Sequence, residues 1–135
     1  NIDSLSVGET LDPKYSRITV VLTGDDYVLN QIKMQLKKLH DVKKVKHLDE
    51  ENSIFRETML VKVKATPEMR TQIIQIVNVF RAKIVDFATE SMTIEITSNT
   101  SKTNAFVQLL NQCEILEVAR TGLTALERGN NSIHS

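Results

Sequence analysis

The chain has 135 residues, which is enough for one domain or for two small ones. Its 17 basic and 17 acidic residues cancel, so no whole-molecule field attracts nucleic acid or an anionic membrane. An aromatic content of 4% without tryptophan argues against stacking platforms for single-stranded nucleic acid. The single cysteine, Cys113, cannot form an internal disulfide, and no apolar run approaches membrane-spanning length. Together these features favour a cytoplasmic protein.

The first residues predict two strands. Three apolar residues alternate with polar ones in a pattern typical of a half-buried strand: Ile2, Leu5 and Val7. Residues 8–15 (GETLDPKY) form a polar loop with an Asp-Pro turn signal. Residues 18–22 then alternate again, so a second strand is expected to bury one face strongly.

A helix and a third strand are expected next. Asp25 or Asp26 can cap the helix. Its apolar stripe recurs at helical spacing, at Val28, Leu29, Ile32, Leu36 and Leu39. Val42 and Val45 are expected to open the third strand, and the polar residues 49–53 (DEENS) predict a linker between two halves.

The second half predicts a strand, a helix, two strands, a helix and a strand. Thr66-Pro67 is a strong helix start, with a hydroxyl cap and proline at the first helical position. A second helix is expected from Ser101. The predicted strands are residues 57–65, 83–90, 91–98 and 114–122. From Ala125 onward, a polar and disordered tail is expected.

The two halves are related by an internal repeat. The strand-helix-strand pattern of residues 16–48 recurs more loosely at 91–122. The second half reads βαββαβ, a complete ferredoxin-like unit. The first half reads ββαβ and matches the later part of its sibling, which predicts that its N-terminal strand and helix are missing.

Lysines cluster in the first half, at Lys33, Lys37, Lys38, Lys43, Lys44 and Lys46. A nucleic-acid surface is one interpretation. A solvated helix face is favoured over it, because the chain is neutral overall and carries no recognition-helix motif.

Neither a metal site nor a catalytic site is predicted. The histidines, His40, His47 and His134, do not share a metal-ligand spacing with Cys113, which is expected to be a buried structural thiol. No phosphate loop, dinucleotide-binding fingerprint or nucleophile elbow is present.

Backbone groups at strand ends can still hold a small ligand. The Asn1 side chain could accept from an ammonium and donate to a carboxylate, and Ile2 could wall a small apolar pocket. From local sequence alone, a plain strand entrance is the favoured reading of this pair.

Six segments together resemble the small regulatory subunit of acetohydroxyacid synthase, also called acetolactate synthase. They are NIDSLSVGET, SRITVVLTGDD, QLKKLHDVKKV, RETMLVKVKA, VFRAKIVDFA and EVARTGLTALERG. The resemblance implies an α+β fold of two tandem ferredoxin-like domains, an ACT and an ACT-like domain, the first incomplete at its N-terminus. The predicted boundaries are 1–50 for the first domain, 54–127 for the second and 128–135 for the tail.

The resemblance also implies a function. Such a subunit is not an enzyme: it activates a catalytic large subunit and confers feedback inhibition by valine. The alternative is a stand-alone amino-acid sensor in transcriptional control, supported only by the lysine run. Thiamine diphosphate, magnesium and FAD are expected on the large subunit and not on this chain.

The resemblance assigns the effector site to residues of the first strand. The family's Asn-Ile pair falls on Asn1 and Ile2, and Ser6 and Gly8 are weaker candidates on the same strand. The other half of the pocket is an Asn-x-x-Gly loop, expected upstream of these residues. Homodimerisation through the ACT domains is implied as well, with no binding of nucleic acid or membrane.

Overall fold

The structure is a computed structural model that describes residues 2–134. The chain divides into two compact units. Unit 1 combines Asn1–Phe55 with Leu123–Ser135, and unit 2 is Arg56–Gly122. Strand β3 begins in unit 1 and continues into unit 2.

The elements follow one another along the chain in alternating groups of strands and helices. They are β1 (Ile2–Glu9), β2 (Ser16–Leu22), α1 (Asp26–Lys37), β3 (Ser53–Lys64), α2 (Pro67–Val79), β4 (Lys83–Phe87), β5 (Ser91–Ser98), α3 (Thr100–Leu110), β6 (Ile115–Arg120) and β7 (Thr124–Glu127).

Unit 2 has the predicted βαββαβ order. Its strands lie side by side as β4-β5-β3-β6, and β3 is antiparallel to both of its neighbours. Alternation explains the two faces of β3, because Met59, Val61 and Val63 are fully buried while Lys62 and Lys64 are exposed. The ferredoxin-like arrangement predicted for the second half is therefore confirmed.

The hydrophobic core of unit 2 lies between the helices and one face of the sheet. Strand residues of β3 and β5 meet helix residues there, with Phe106 of α3 fully buried. The Phe106 ring meets the Phe80 ring edge to face, with centroids 5.2 Å apart. Thr66 precedes α2 as predicted, but its hydroxyl makes no capping hydrogen bond, so proline at the first helical position carries the start signal.

Unit 1 contains a two-stranded antiparallel sheet, β1 with β2, and the helix α1. The Asp25 side chain caps α1 by accepting a hydrogen bond from the Val28 amide at 2.9 Å, as predicted. None of the twelve side chains of α1, all of them described, is buried. Within residues 2–134, no closed core therefore surrounds this helix.

Three sequence predictions in unit 1 are wrong. The apolar face that β2 was expected to bury strongly is exposed, because no element of the described chain covers it. No regular strand forms over residues 42–48, because two valines three residues apart do not supply the partner that a strand requires. The segment from Ala125 is not a disordered tail: β7 pairs with β3, and the Arg128 amide donates to the Asn52 carbonyl at 2.7 Å. Backbone pairing orders a segment whose composition is polar.

The domain boundaries inferred from the sequence remain a prediction. They divide the chain into consecutive modules, 1–50, 54–127 and 128–135, whereas the compact units follow contacts in space. The two descriptions differ over residues 54–55 and over residues 123–135, which belong to unit 1 by contact.

Candidate functional site

Strand β1 carries the predicted site residues and has two unlike faces. In the antiparallel register, Leu5 lies opposite Val20 and Val7 opposite Ile18. Opposed residues share a face. These four side chains therefore form one apolar face, and all four are exposed. Within residues 2–134, β1 pairs only with β2, so its outer edge has no partner strand.

The opposite face of β1 is polar and holds the returning C-terminal segment. The Leu123 amide donates to the Ser4 hydroxyl at 2.9 Å, and the Ser6 hydroxyl donates to the Leu123 carbonyl at 2.8 Å. Arg17 of β2 adds a hydrogen bond to the Ala125 carbonyl at 2.8 Å. We call Ser4, Ser6 and Leu123 the serine clasp. It satisfies both backbone groups of a residue that is 9% exposed.

The predicted effector residues are placed as follows. Asn1 lies outside the described residues. Ile2 begins β1 opposite Leu22 and is 63% exposed, so its side chain is available to a ligand or a partner. The Ser6 hydroxyl belongs to the serine clasp. A side chain added at Gly8 would meet no atom within 4 Å, so this glycine lies in open space.

The lysine run borders a cavity in unit 1. The cavity holds about 560 Å³ and is lined by Lys33, Lys37, Val42, Lys43, Lys44, Val45, Lys46 and Ile133. Every lysine of the run except Lys38 lines it. The sequence shows the cluster of lysines but does not predict the cavity, because the lining residue Ile133 is far from them along the chain.

A buried polar cluster in unit 2 holds the start of α3 against the sheet. Glu57 is 6% exposed, and its Oε1 accepts from the Thr103 hydroxyl at 2.6 Å and from the Arg120 Nε at 3.1 Å. A terminal guanidinium nitrogen of Arg120 also pairs with that oxygen and donates to Asn104 at 2.8 Å. Every group points into the same internal network, which indicates a structural role.

Two further kinds of reactive group are the single thiol and clusters of side chains that could bind a metal ion. Cys113 is a buried free thiol, and its burial raises the pKa of the thiol. Among the described residues, no three His, Cys, Asp or Glu side chains are grouped so as to hold a metal ion. Each helix of the described chain is too short or too polar to cross a membrane.

The serine clasp is the feature of this region that the sequence did not reveal. The hydrogen bonds join positions 117 and 119 residues apart. Ser4 and Ser6 alternate with apolar residues in a pattern that is equally typical of a solvent-facing side.

Two protein-family models match the chain, one in each half. Residues 1–44 match the model described as "AHAS small subunit-like ACT domain". Residues 56–129 match the model described as "Small subunit of acetolactate synthase". The two tandem ferredoxin-like domains predicted from the sequence agree with these matches.

Named relatives and a solved structure agree with the family models. The chain is 44% identical to the probable acetolactate synthase small subunit of Methanothermobacter thermautotrophicus, over 98% of this chain and 80% of that protein. It is 44% identical to the acetolactate synthase small subunit of Mycolicibacterium smegmatis, over 98% of this chain and 78% of that protein. The crystal structure of the Thermotoga maritima small subunit superposes with a TM-score of 0.90 at 43% identity, covering 97% of this chain and 82% of that one.

These matches cover both halves of the chain and nearly all of its length. The chain belongs to the family of acetolactate synthase small subunits, which are regulatory subunits and not catalytic ones.

Proposed function

We propose that this chain activates the catalytic large subunit of acetolactate synthase and makes it sensitive to feedback inhibition by valine. The observation that carries the proposal is the pair of small-subunit family matches, one over each half of the chain.

The proposed effector site lies at the start of β1. The carboxylate of valine would accept from backbone amides, its ammonium would donate to a carbonyl or to Asn1, and its isopropyl group would lie against Ile2. The exposure of Ile2 supports this role. One methylene changes affinity by about 1–3 kcal/mol in an apolar pocket, so leucine and isoleucine are also candidate effectors.

Homodimerisation through this region is part of the proposal. An exposed strand edge is a template for pairing with another chain, and the outer edge of β1 is without a partner strand in residues 2–134. The exposed apolar face of Leu5, Val7, Ile18 and Val20 adjoins that edge. Pairing there would bring two copies of the effector strand together.

The proposal leaves the cofactors to the partner. Thiamine diphosphate, magnesium and FAD would be held by the large subunit, and this chain would alter that subunit's activity from outside its active site. Regulation at a distance requires a second state that valine stabilises, typically with about 1–3 kcal/mol of coupling free energy. A cytoplasmic location likewise remains a proposal.

The test uses acetolactate synthase reconstituted from the complete regulatory protein and its large subunit. Asn1→Ala should weaken inhibition by valine, about tenfold or more in the half-inhibitory concentration, while activation stays mostly intact. Asn30→Ala, at an exposed position of α1, is the matched control and should leave both properties unchanged. Unchanged valine sensitivity in Asn1→Ala would reject the assigned site.

A further inference from the structure

The cavity lined by the lysine run is bordered mainly by cationic side chains. Two of its lysines, Lys33 and Lys37, lie four residues apart on one side of α1. Three more come from the irregular segment that follows the helix: Lys43, Lys44 and Lys46. The other lining residues are aliphatic, and no acidic residue lines the cavity within the described chain. Five cationic side chains therefore border one concave surface of an otherwise neutral protein.

Only part of this positive charge is balanced within unit 1. Lys46 pairs with Glu127 and also donates to the Ser132 carbonyl at 2.9 Å. The Nζ atom of Lys44 lies 3.4 Å from the Nδ1 atom of His134. Neither Lys33 nor Lys37 forms an ion pair with any residue in the range 2–134. Like charges that converge repel one another, so an anion in the cavity would relieve an unfavourable interaction.

The size and lining of the cavity indicate the class of ligand. A volume of about 560 Å³ falls within the range of small-molecule sites, roughly 300–1,000 Å³. Lysines act as point charges that suit phosphate oxygens. No aromatic side chain is present in the described lining to stack a base, and the chain as a whole carries no net positive charge to attract nucleic acid.

We propose that this cavity binds a small polyanion carrying two or more phosphate groups, at a site separate from the proposed valine site. Lys33 and Lys37 would contact one end of the anion and the lysines after α1 the other. Val42, Val45 and Ile133 would form the apolar floor that excludes water from one side of the charges. The tail that carries Ile133 is tied to the lysine segment by the hydrogen bond from Lys46 Nζ to the Ser132 carbonyl.

The first experiment titrates the complete protein with sodium tripolyphosphate in an isothermal calorimeter at low and moderate salt. The expected result is saturable binding that weakens as salt rises, since exposed charge pairs are screened. Lys33→Gln/Lys37→Gln should weaken binding by about tenfold, equivalent to about 1.4 kcal/mol. Lys14→Gln/Lys102→Gln removes the same charge at exposed positions outside the cavity and should change affinity by less than about twofold.

Three outcomes would overturn the proposal. One is the absence of saturable binding by the wild type at millimolar tripolyphosphate. Another is equal weakening in the two double variants, which would indicate a general charge effect. The third is tighter binding of a duplex DNA or a polyglutamate peptide than of tripolyphosphate at equal salt. Valine titrations of the same samples distinguish the cavity from the proposed valine site. The cavity variants should bind valine with the affinity of the wild type.

Discussion

The two units differ in how much of their apolar surface they bury. Unit 2 encloses its own core: Met59, Ile73, Ile94 and Phe106 are fully buried between one sheet and two helices. Unit 1 leaves α1 without a buried side chain and exposes the apolar face of β1 and β2. Apolar area removed from water stabilises by about 25 cal/mol per Å², so unit 2 gains this stabilisation internally. Unit 1 retains apolar surface that a partner or ligand can cover.

The difference separates a unit with an enclosed core from a unit with exposed apolar surface. Binding surfaces are drawn from the less stable parts of a protein, because ligands must be able to change the population of states there. The proposed effector strand, the serine clasp and the lysine-lined cavity all belong to unit 1. Variants that perturb one unit at a time test whether the two units differ in this way.

The largest expected effect is the loss of a large core side chain in unit 2. Phe106→Ala should lower the free energy of unfolding by about 3–5 kcal/mol, because it leaves a cavity and removes the contact with Phe80. Val7→Ala, in the exposed face of unit 1, should change it by less than about 0.5 kcal/mol. Urea unfolding followed by circular dichroism measures both. Similar losses of unfolding free energy in the two variants would contradict the difference in core packing between the two units.

The next effect concerns the polar cluster of unit 2. Glu57→Gln should cost about 1–3 kcal/mol, because a buried carboxylate that accepts from Thr103 and Arg120 is replaced by a neutral amide. Glu117→Gln, at an exposed position of β6, is the matched control and should be nearly neutral. Urea unfolding midpoints measure both variants. A loss of unfolding free energy below about 0.5 kcal/mol for Glu57→Gln would mean that the cluster does not stabilise unit 2.

A smaller effect is expected at the serine clasp. Ser4→Ala/Ser6→Ala removes the side-chain partners of the Leu123 amide and carbonyl, at about 0.5–1.5 kcal/mol for each hydrogen bond. Hydrogen exchange should then accelerate at residues 123–127 and stay unchanged at the amides of β5 in unit 2. If protection at residues 123–127 survives, the clasp does not hold the returning segment.

The smallest effect concerns the buried thiol. Because burial raises the pKa of Cys113, the folded protein keeps the thiol proton at pH values where the unfolded chain loses it. This stabilising contribution is therefore present below the ordinary thiol pKa of about 8.5 and decreases as the pH rises above it. Ellman's reagent at pH 8 should label native Cys113 at least about 100-fold more slowly than the urea-unfolded protein. Equal rates would mean that the thiol is accessible.

The sequence predicted unit 2 well because its elements find their partners within 56–122. The proline start at Pro67 and the alternation of β3 are local signals of unit 2, and both agree with the structure. The cap at Asp25 is a local signal of the same kind in unit 1. The strand predicted from Val42 and Val45 is wrong, since apolar residues in a segment do not show whether a neighbouring strand is present.

The surfaces of unit 1 were harder to predict for a related reason. The serine clasp joins Ser6 to Leu123, and the lysine-lined cavity is completed by Ile133. Neither pairing leaves a signal at a fixed spacing along the chain. Of the proposed effector residues, Ile2 could be assigned only by resemblance, because an exposed isoleucine at a strand start has many interpretations.

The most direct test of the regulatory role is the initial rate of acetolactate formation by the large subunit, measured with and without the complete regulatory protein and with a valine titration. Addition of the regulatory protein should raise the rate, and valine should lower it again only when that protein is present. An unchanged rate on addition, together with no response to valine, would contradict the proposed function.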